Sequence, residues 1–413
     1  MLLQILQRLG ALVSLTLLAV GGYLLWSWWD LREALEAGRA VDGDDIDWRL
    51  WAGGALLAWS FLGRGPVLWL LGRAGDDGER LKRLPGEPVE SPTGACLNVQ
   101  MTGPADAPAL IFVHGWAMDS TVWWEARRQL ADRYQVITYD LAGLGKSIGP
   151  VDERYSLEGF ADDLAAVIAE VCPRKTVLVG HSIGGMTLQT LCRRHPELLG
   201  RRVLGLVLEN TTHTDPSQTT VLRRGLGVLK PVLIPLMHLD IMLAPVVWLM
   251  NWQSYLSGWT HLAMRIGGFG TRPTRAQLEQ VSRLATRNSP AVQARGNIAM
   301  MRWDATDDLD RIRAPALVFI GGRDLVTIPQ AGECIAGGAA EARPIRLPRA
   351  GHMGPLELAN DYNEAISRFA DEVFTRGAAW ADRPPITAWM EPRPDERSWE
   401  EPDLSEPRRD GRS

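Results

Sequence analysis

The chain has 413 residues, of which 46% are hydrophobic and 23% are charged, so it is long enough for one large domain or two ordinary domains with a buried core. Its formal net charge of −5 argues against the basic surface that nucleic-acid binding requires. The four cysteines are far apart in the sequence and form no C-x-x-C pair, which argues against a metal site and a disulfide framework.

The first predicted element is an apolar helix. Residues 9–29 read LGALVSLTLLAVGGYLLWSWW, carry no charge and are long enough to cross a bilayer. Their tryptophan-rich end is typical of the aromatic belt at a membrane interface. A cleaved signal peptide is the alternative, but it would have a shorter apolar run followed by small residues. We therefore expect a retained membrane helix.

A second apolar segment covers residues 50–72, where Arg64 and Pro66 interrupt it. An arginine near mid-membrane costs about 2.5–3.5 kcal/mol, so this is a weaker predicted span, with an interfacial helix as the alternative. The loop between the two segments is strongly acidic, and basic residues lie outside it. Two spans would thus leave both ends in the cytoplasm, whereas one span would export the rest of the chain. We expect residues 1–75 to be a membrane anchor of one or two helices that contacts lipid, with a cytoplasmic catalytic domain.

Beyond the anchor, short apolar runs alternate with amphipathic helical patterns. Such alternation predicts an α/β fold with a largely parallel sheet covered by helices on both faces. The predicted strands are residues 109–115, 135–140, 176–182, 203–210 and 316–322.

The last two predicted strands are separated by about 100 residues, which is too long for a loop without structure of its own. We therefore predict a helical cap at residues 211–311, inserted into a catalytic domain formed by residues 76–210 and 312–376. Residues 377–413 are rich in proline and charge, which predicts a disordered tail.

Two G-x-S-x-G motifs compete for the role of nucleophile. A nucleophilic serine in this motif needs a strand before it and a helix directly after it. Ser182 meets this requirement, because TVLV precedes it and IGGMTLQTLCRRH follows it. Ser147 is followed by Gly149 and Pro150, where a helix should begin. A phosphate-binding loop at GLGKS also fails, because Asp140 occupies the position of the required glycine. We predict that Ser147 lies in a structural turn.

A serine hydroxyl needs a base, and the base needs an orienting group. Asp324 follows the strand ALVFIGG, and His352 follows another predicted strand, so both are expected in loops at the carboxyl edge of the sheet. The chain order Ser182, Asp324, His352 matches one known triad arrangement. The backbone N–H groups of Ile183 and Trp116 are the predicted oxyanion donors. His114 is interpreted as a structural residue of the second donor's loop.

With these motifs the chain resembles the α/β-hydrolase superfamily, in the branch with an HG oxyanion loop and a helical cap. The matching motifs are FVHGW, DLAGLGKS, GHSIGG, GGRD and AGH, in the usual order. The resemblance covers about residues 95–376. It implies that Ser182 attacks an ester carbonyl, that His352 takes its proton, that Asp324 orients His352, and that neither a metal nor a cofactor is needed. DLAGLGKS resembles a turn of this family that carries a non-catalytic serine.

The predicted cap contains an apolar stretch, residues 231–252, in which Pro235 and Pro245 are expected to break any continuous helix and to make a third span unfavourable. Trp248 and Met250 of this stretch are expected to line an acyl pocket above Ser182. This predicts an esterase or lipase for lipophilic acyl esters, with a preference for chains of about eight carbons. The alternatives are a thioesterase or aminopeptidase of the same fold, and a binding protein without turnover.

Overall fold

A computed structural model describes residues 2–39, 45–75, 83–172 and 174–376. The predicted disordered tail, residues 377–413, lies outside the described residues. Within them, eight strands form one sheet. The strands are β1 (Glu87–Glu90), β2 (Cys96–Thr102), β3 (Ala109–Val113), β4 (Gln135–Tyr139), β5 (Thr176–His181), β6 (Val203–Glu209), β7 (Ala316–Gly321) and β8 (Ala342–Leu347).

The sheet has the order β1-β2-β4-β3-β5-β6-β7-β8. The strands from β3 to β8 are parallel, whereas β2 pairs antiparallel with both β1 and β4. The five strands predicted from apolar runs are confirmed to within two residues at each end. The two antiparallel strands were not predicted, because β2 is only half buried and lacks a continuous apolar run.

The described residues form fourteen α-helices, connected in places by short 3-10 turns. The helices are α1 (Leu2–Glu36), α2 (Asp47–Leu62), α3 (Arg64–Leu71), α4 (Trp124–Leu130), α5 (Leu157–Val171), α6 (Ile183–Arg194), α7 (Arg223–Met242), α8 (Ala244–Leu256), α9 (Trp259–Gly268), α10 (Arg275–Arg287), α11 (Pro290–Met300), α12 (Pro329–Gly338), α13 (Gly354–Glu357) and α14 (Ala359–Arg376).

Helices cover both faces of the sheet, which is why its central strands are apolar throughout. Residues of α5, α6 and α12 belong to the core on one face, and residues of α4 and α14 belong to the core on the other. The five helices α7–α11 lie between β6 and β7 in the chain, within the predicted insertion.

Helix α7 corrects one prediction from the sequence. Pro231 and Pro235 lie inside this continuous helix of 20 residues and do not break it. A proline in a helix interior costs about 3 kcal/mol, and packing of Met237 against Ala294 and Ile298 of α11 helps to offset that cost. Pro245 does mark a helix boundary, since it lies in the first turn of α8.

The N-terminal helix packs against the inserted helices over its first four turns. Arg8 of α1 forms an ion pair with Asp240 of α7 at 3.0 Å, and the Ser14 hydroxyl lies 2.8 Å from the Ser257 hydroxyl. Further along, α1 packs closely against α2, because a side chain at Gly53 would lie 2.9 Å from the backbone oxygen of Gly21. Helices α1 and α2 thus form a hairpin that is continuous with the inserted helices.

In the part of the chain that the structure describes, α1 and α7 are long and apolar enough to cross a membrane. The second predicted span is not one straight helix: α2 and α3 are bent by 64° at Gly63. Large apolar side chains are exposed on all of these helices, as in Trp51, Leu62, Trp69 and Val228. Such surfaces are typical of contact with lipid or with another protein.

Candidate active site

Ser182 lies at the sharp turn between β5 and α6, as the sequence predicts. Its backbone angles are φ 55° and ψ −118°, a strained conformation for a residue with a side chain. The flanking glycines make this turn possible, because a side chain at Gly180 would lie 2.6 Å from the backbone of Gly184. The turn holds the Ser182 hydroxyl at the carboxyl edge of the parallel strands, where ligands bind in open α/β sheets.

The structure brings Ser182, His352 and Asp324 together. His352 Nε2 lies 3.1 Å from Ser182 Oγ, and His352 Nδ1 lies 3.0 Å from Asp324 Oδ2. Both distances are within hydrogen-bond range, so His352 is placed to accept the serine proton while its other nitrogen donates to the carboxylate. His352 and Asp324 are buried.

Asp324 is held by a set of hydrogen bonds that the sequence did not predict. Its Oδ1 accepts from the backbone N–H groups of Val326 and Thr327 at 2.8 and 2.9 Å. Its Oδ2 accepts from the Thr327 hydroxyl at 2.7 Å and from Asn210 Nδ2 at 3.2 Å. Burial alone would raise the pKa of Asp324, but His352 and the hydrogen bonds from Thr327 lower it below its ordinary value. The carboxylate therefore stays ionised at neutral pH.

The two residues predicted to supply oxyanion donors are the next residue after Ser182 in the chain and a residue of the loop after β3. Ile183 is the first residue of α6, so its N–H has no acceptor within the helix. Trp116 follows β3 and lines the same cavity as Ser182. Its indole Nε1 donates to the Gln293 carbonyl of α11 at 3.1 Å, which ties this loop to the inserted helices. The next residue, Ala117, has φ 60°, a second strained position beside the serine.

The remaining histidines of the motifs have structural contacts. His114 Nδ1 lies 2.8 Å from the Gly115 carbonyl, and His114 Nε2 accepts from the Leu141 N–H at 3.0 Å. His181 Nε2 lies 2.8 Å from the backbone oxygen of His352. Burial lowers the pKa of His181 to about 3, so it donates this hydrogen bond as a neutral ring and helps to position the loop of His352.

Ser147 lies in a turn and is buried, as predicted. Its hydroxyl donates to the Asp140 carbonyl at 2.5 Å and accepts from the Asn98 N–H at 2.9 Å. No histidine is among these partners, so the hydroxyl has no base in contact with it. This structural turn accounts for the G-x-S-x-G motif at Ser147.

A small cavity of about 70 Å³ lies above Ser182 and His352. Its walls are mainly apolar and come from α6, α9, α10 and α11, with Met186, Met264 and Met300 among them. One wall was not predicted: Leu3, Gln4 and Gln7 of α1 line the same cavity. No sequence signal links the first residues of the chain to a serine about 180 positions later.

Trp248 and Met250 do not line this cavity, which corrects their predicted role. Both belong to α8, which buries Asn251, Ser254 and Tyr255 against its neighbours. Trp248 is 41% exposed and packs edge-on against Trp252.

The described residues contain no group of three histidine, cysteine, aspartate or glutamate side chains that would hold a metal ion. All four cysteines are free thiols.

Comparisons with known proteins agree with this architecture. A family model described as alpha/beta hydrolase fold matches residues 108–231. The solved structure of a thermophilic esterase from Thermogutta terrifontis superposes with a TM-score of 0.58 at 23% identity, and covers 70% of this chain and 99% of that one. The predicted α/β-hydrolase fold is confirmed.

Among curated proteins, the chain is similar to the pimeloyl-[acyl-carrier protein] methyl ester esterase of Aeromonas hydrophila, with 36% identity over 103 residues, 25% of this chain and 39% of that protein. The enzyme of the same name from Nitrosospira multiformis is 35% identical over 108 residues, 26% of this chain and 40% of that protein. The chain thus spans about two fifths of the length of these relatives.

Proposed function

We propose that this α/β-hydrolase-fold protein is a membrane-associated serine hydrolase that cleaves carboxylic esters through an acyl-enzyme. The observation that carries the proposal is the hydrogen-bonded series from Ser182 through His352 to Asp324, with the serine on a strained strand-to-helix turn. A decayed scaffold would have no reason to keep all three groups in this geometry, which disfavours a binding protein without turnover.

In the proposed reaction, Ser182 Oγ attacks the ester carbonyl carbon while His352 Nε2 takes the hydroxyl proton. The N–H groups of Ile183 and Trp116 stabilise the negative oxygen of the tetrahedral intermediate, and removal of one such donor costs about 3 kcal/mol of transition-state stabilisation. His352 then donates its proton to the departing alcohol. Water, deprotonated by His352, releases the acid from Ser182 in the second half of the reaction.

Carboxylic esters are proposed over other acyl bonds because of the site's surroundings. The cavity wall is mainly apolar and, among the residues the structure describes, its lining includes no acidic or basic side chain other than His352. A neutral ester fits such a wall better than a charged amino terminus, which an aminopeptidase must bind. The named activity of the two curated relatives, methyl ester hydrolysis, supports the same class.

Membrane association is supported by the N-terminal helices. Helix α1 is long and apolar enough to span a bilayer, and its outer surface exposes Leu12, Tyr23, Trp26 and Trp29. Because the first turns of α1 pack against the inserted helices, anchoring would hold the cavity close to lipid. We propose that lipophilic esters reach the site from the membrane and that the catalytic domain lies on the cytoplasmic side.

The test compares the two serines of the repeated motif. Ser182→Ala should abolish both ester hydrolysis and labelling by a fluorophosphonate probe, since only Ser182 has a base in contact. Ser147→Ala is the matched control; it loses both hydrogen bonds of the Ser147 hydroxyl and about 1–3 kcal/mol of stability, but it should retain labelling.

Labelling is measured on the full chain in detergent, with the melting temperature recorded for each variant. Persistent labelling of Ser182→Ala, or its loss in a folded Ser147→Ala variant, would contradict the assignment of the nucleophile. A panel of matched esters, thioesters and amides then separates the esterase from the thioesterase and peptidase alternatives.

A further inference from the structure

The first two turns of α1 form part of the cavity wall, and this segment carries two glutamines. Gln4 and Gln7 are one helical turn apart and both line the cavity that contains Ser182. Gln4 Nε2 donates to Gln293 Oε1 at 3.4 Å, and Gln293 Nε2 in turn donates to backbone carbonyls of the inserted helices. The amide of Gln4 therefore has a partner within the protein.

Gln7 differs from Gln4 in this respect. Its side chain is buried, with 4% of its surface exposed, and no group within the described ranges accepts a hydrogen bond from its Nε2. Asn297 also lines the cavity and is only 1% exposed. Its Oδ1 accepts no hydrogen bond from any residue that the structure describes. Buried polar atoms without a partner are uncommon, because each carries a desolvation cost.

Gln7 is held in place by its own helix. The neighbouring Arg8 donates to Asp240 at 3.0 Å and to Asn251 at 2.9 Å, and Ser14 donates to the Gln253 carbonyl at 3.2 Å. These contacts attach α1 to α7 and α8 at Arg8, next to Gln7, and at Ser14, six residues further along the helix. The position of Gln7 at the cavity is therefore fixed by contacts that do not involve its own side chain.

We propose that Gln7 and Asn297 form a polar recognition subsite for a hydroxyl group on the ester substrate, close to the bond that is cleaved. A hydroxyl both accepts and donates a hydrogen bond, so one such group satisfies the Gln7 amide donor and the Asn297 carbonyl acceptor together. The substrate class is a hydroxy ester, such as a partially acylated polyol. This inference rests on the proposed function, because it places the subsite beside the reacting serine.

The consequence is that the predicted membrane anchor also determines substrate specificity. A site built to bind a hydroxyl discriminates against the analogue that lacks it, since its own polar groups then remain unpaired. The apolar walls bind the rest of either ester equally well.

The test measures kcat/KM of the full chain in detergent for pairs of esters that differ only by exchange of a methyl for a hydroxyl. One pair, 2-hydroxyethyl and propyl butyrate, carries the change on the alcohol side; p-nitrophenyl 3-hydroxypropanoate and p-nitrophenyl butyrate carry it on the acyl side. The wild type should prefer the hydroxy ester in one pair by about three- to tenfold, the range of a neutral hydrogen bond.

Gln7→Met keeps the length of the side chain and removes the donor, so it should reduce this preference to less than about twofold. Gln7→Leu removes both polar atoms of the amide, and it should lower the preference even if Gln7→Met folds poorly. Gln135→Met is the matched control: it makes the same substitution at the amino end of β4, at the opposite edge of the sheet, and should leave the preference unchanged.

Equal rates for both members of each pair in a wild type that is labelled at Ser182 would overturn the subsite and leave the serine hydrolase intact. A preference for the hydroxy ester that survives in both Gln7 variants would also overturn the subsite. The Gln7 amide would then bind only a buried water. A wild type that neither hydrolyses esters nor reacts with the fluorophosphonate would overturn the proposed function and the subsite together.

Discussion

Glu209 is a buried acid at the end of β6, next to the candidate site. Its carboxyl group is fully buried, and neither oxygen has a hydrogen-bond partner among the described residues. Burial raises its pKa from 4.5 to about 8. The unfolded chain therefore loses this proton near pH 4.5, whereas the folded chain keeps it until about pH 8. Between these values the unfolded state binds fewer protons, so the free energy of unfolding falls as the pH rises.

Glu209→Gln should remove this loss of stability, because the amide stays neutral at every pH. We expect melting temperatures similar to the wild type near pH 4.5 and a gain of about 4 °C or more near pH 8, measured by circular dichroism in detergent. Glu87→Gln, at an exposed position of β1, is the control and should show no such change. A melting-temperature difference between variant and wild type that does not vary with pH would contradict the protonated state assigned to Glu209.

The residues of the candidate site differ in how far the sequence could predict them. Ser182 was predictable because the required strand and helix lie directly beside it in the chain. Asp324 and His352 followed from their positions after predicted strands. Thr327 and Gln7 could not be predicted, because their contacts depend on loop geometry and on the docking of α1. Trp248 was misassigned since an apolar pattern does not say which side of a helix faces the site.

The hairpin of α1 and α2 depends on close approach of the two helices. A methyl group at Gly53 would lie 2.9 Å from the Gly21 carbonyl oxygen and equally close to the Leu25 side chain, whereas one at Gly54 would meet nothing within 4 Å. Small residues at such contacts allow membrane helices to pack tightly. Gly53→Ala should therefore separate the helices and destabilise the hairpin.

Gly54→Ala is the matched control on the next residue. Without a steric clash, it should gain up to about 1 kcal/mol from the higher helix propensity of alanine. The comparison is made by limited proteolysis of the loop between α1 and α2 and by melting temperature in detergent. Faster cleavage of Gly53→Ala than of Gly54→Ala is the expected result; equal cleavage would mean that the hairpin does not rely on this contact.

At the level of elements, the sequence predicted those with a strong local pattern. The five buried strands are confirmed because parallel strands covered on both faces are apolar throughout. The continuity of α7 through Pro231 and Pro235 was missed, since the packing on α11 that helps to offset the cost of the prolines is not visible in a local pattern. The bend at Gly63 was missed for a similar reason: the end of α2 packs closely against the backbone of Ser257.

The side of the membrane is a property of the whole molecule. If α1 and α2 insert as a hairpin, both ends of the pair lie on the same side, and the acidic loop between them crosses. The positive-inside rule then leaves the catalytic domain in the cytoplasm. A reporter enzyme that is active only outside the cytoplasm, fused after Gly377, should give no signal. A strong signal would indicate a single span and an exported catalytic domain, and a cytoplasmic reporter at the same site provides the control.

The choice of acyl chain also depends on how the N-terminal helix and the catalytic domain fit together. The cavity above Ser182 has a volume of about 70 Å³, and Leu3, Gln4 and Gln7 of α1 form one of its walls, so the position of α1 limits the room for a long acyl chain. With α1 closed over the site, we expect a preference for shorter chains than the eight carbons expected from the apolar stretch at residues 231–252. In detergent, kcat/KM of the wild type on p-nitrophenyl esters should fall from butyrate to octanoate.

Arg8→Leu removes the hydrogen bonds to Asp240 and Asn251 that attach α1 to α7 and α8, and should allow the cavity to open. Each methylene then buried is worth up to about fourfold in binding, so the ratio of octanoate to acetate hydrolysis should rise several-fold above that of the wild type. Arg133→Leu, which removes an exposed ion pair with Asp371, makes the same substitution away from α1 and should leave the ratio unchanged. A wild type that already prefers octanoate would show that the cavity opens without release of α1, and the role of Arg8 as the closing contact would then be wrong.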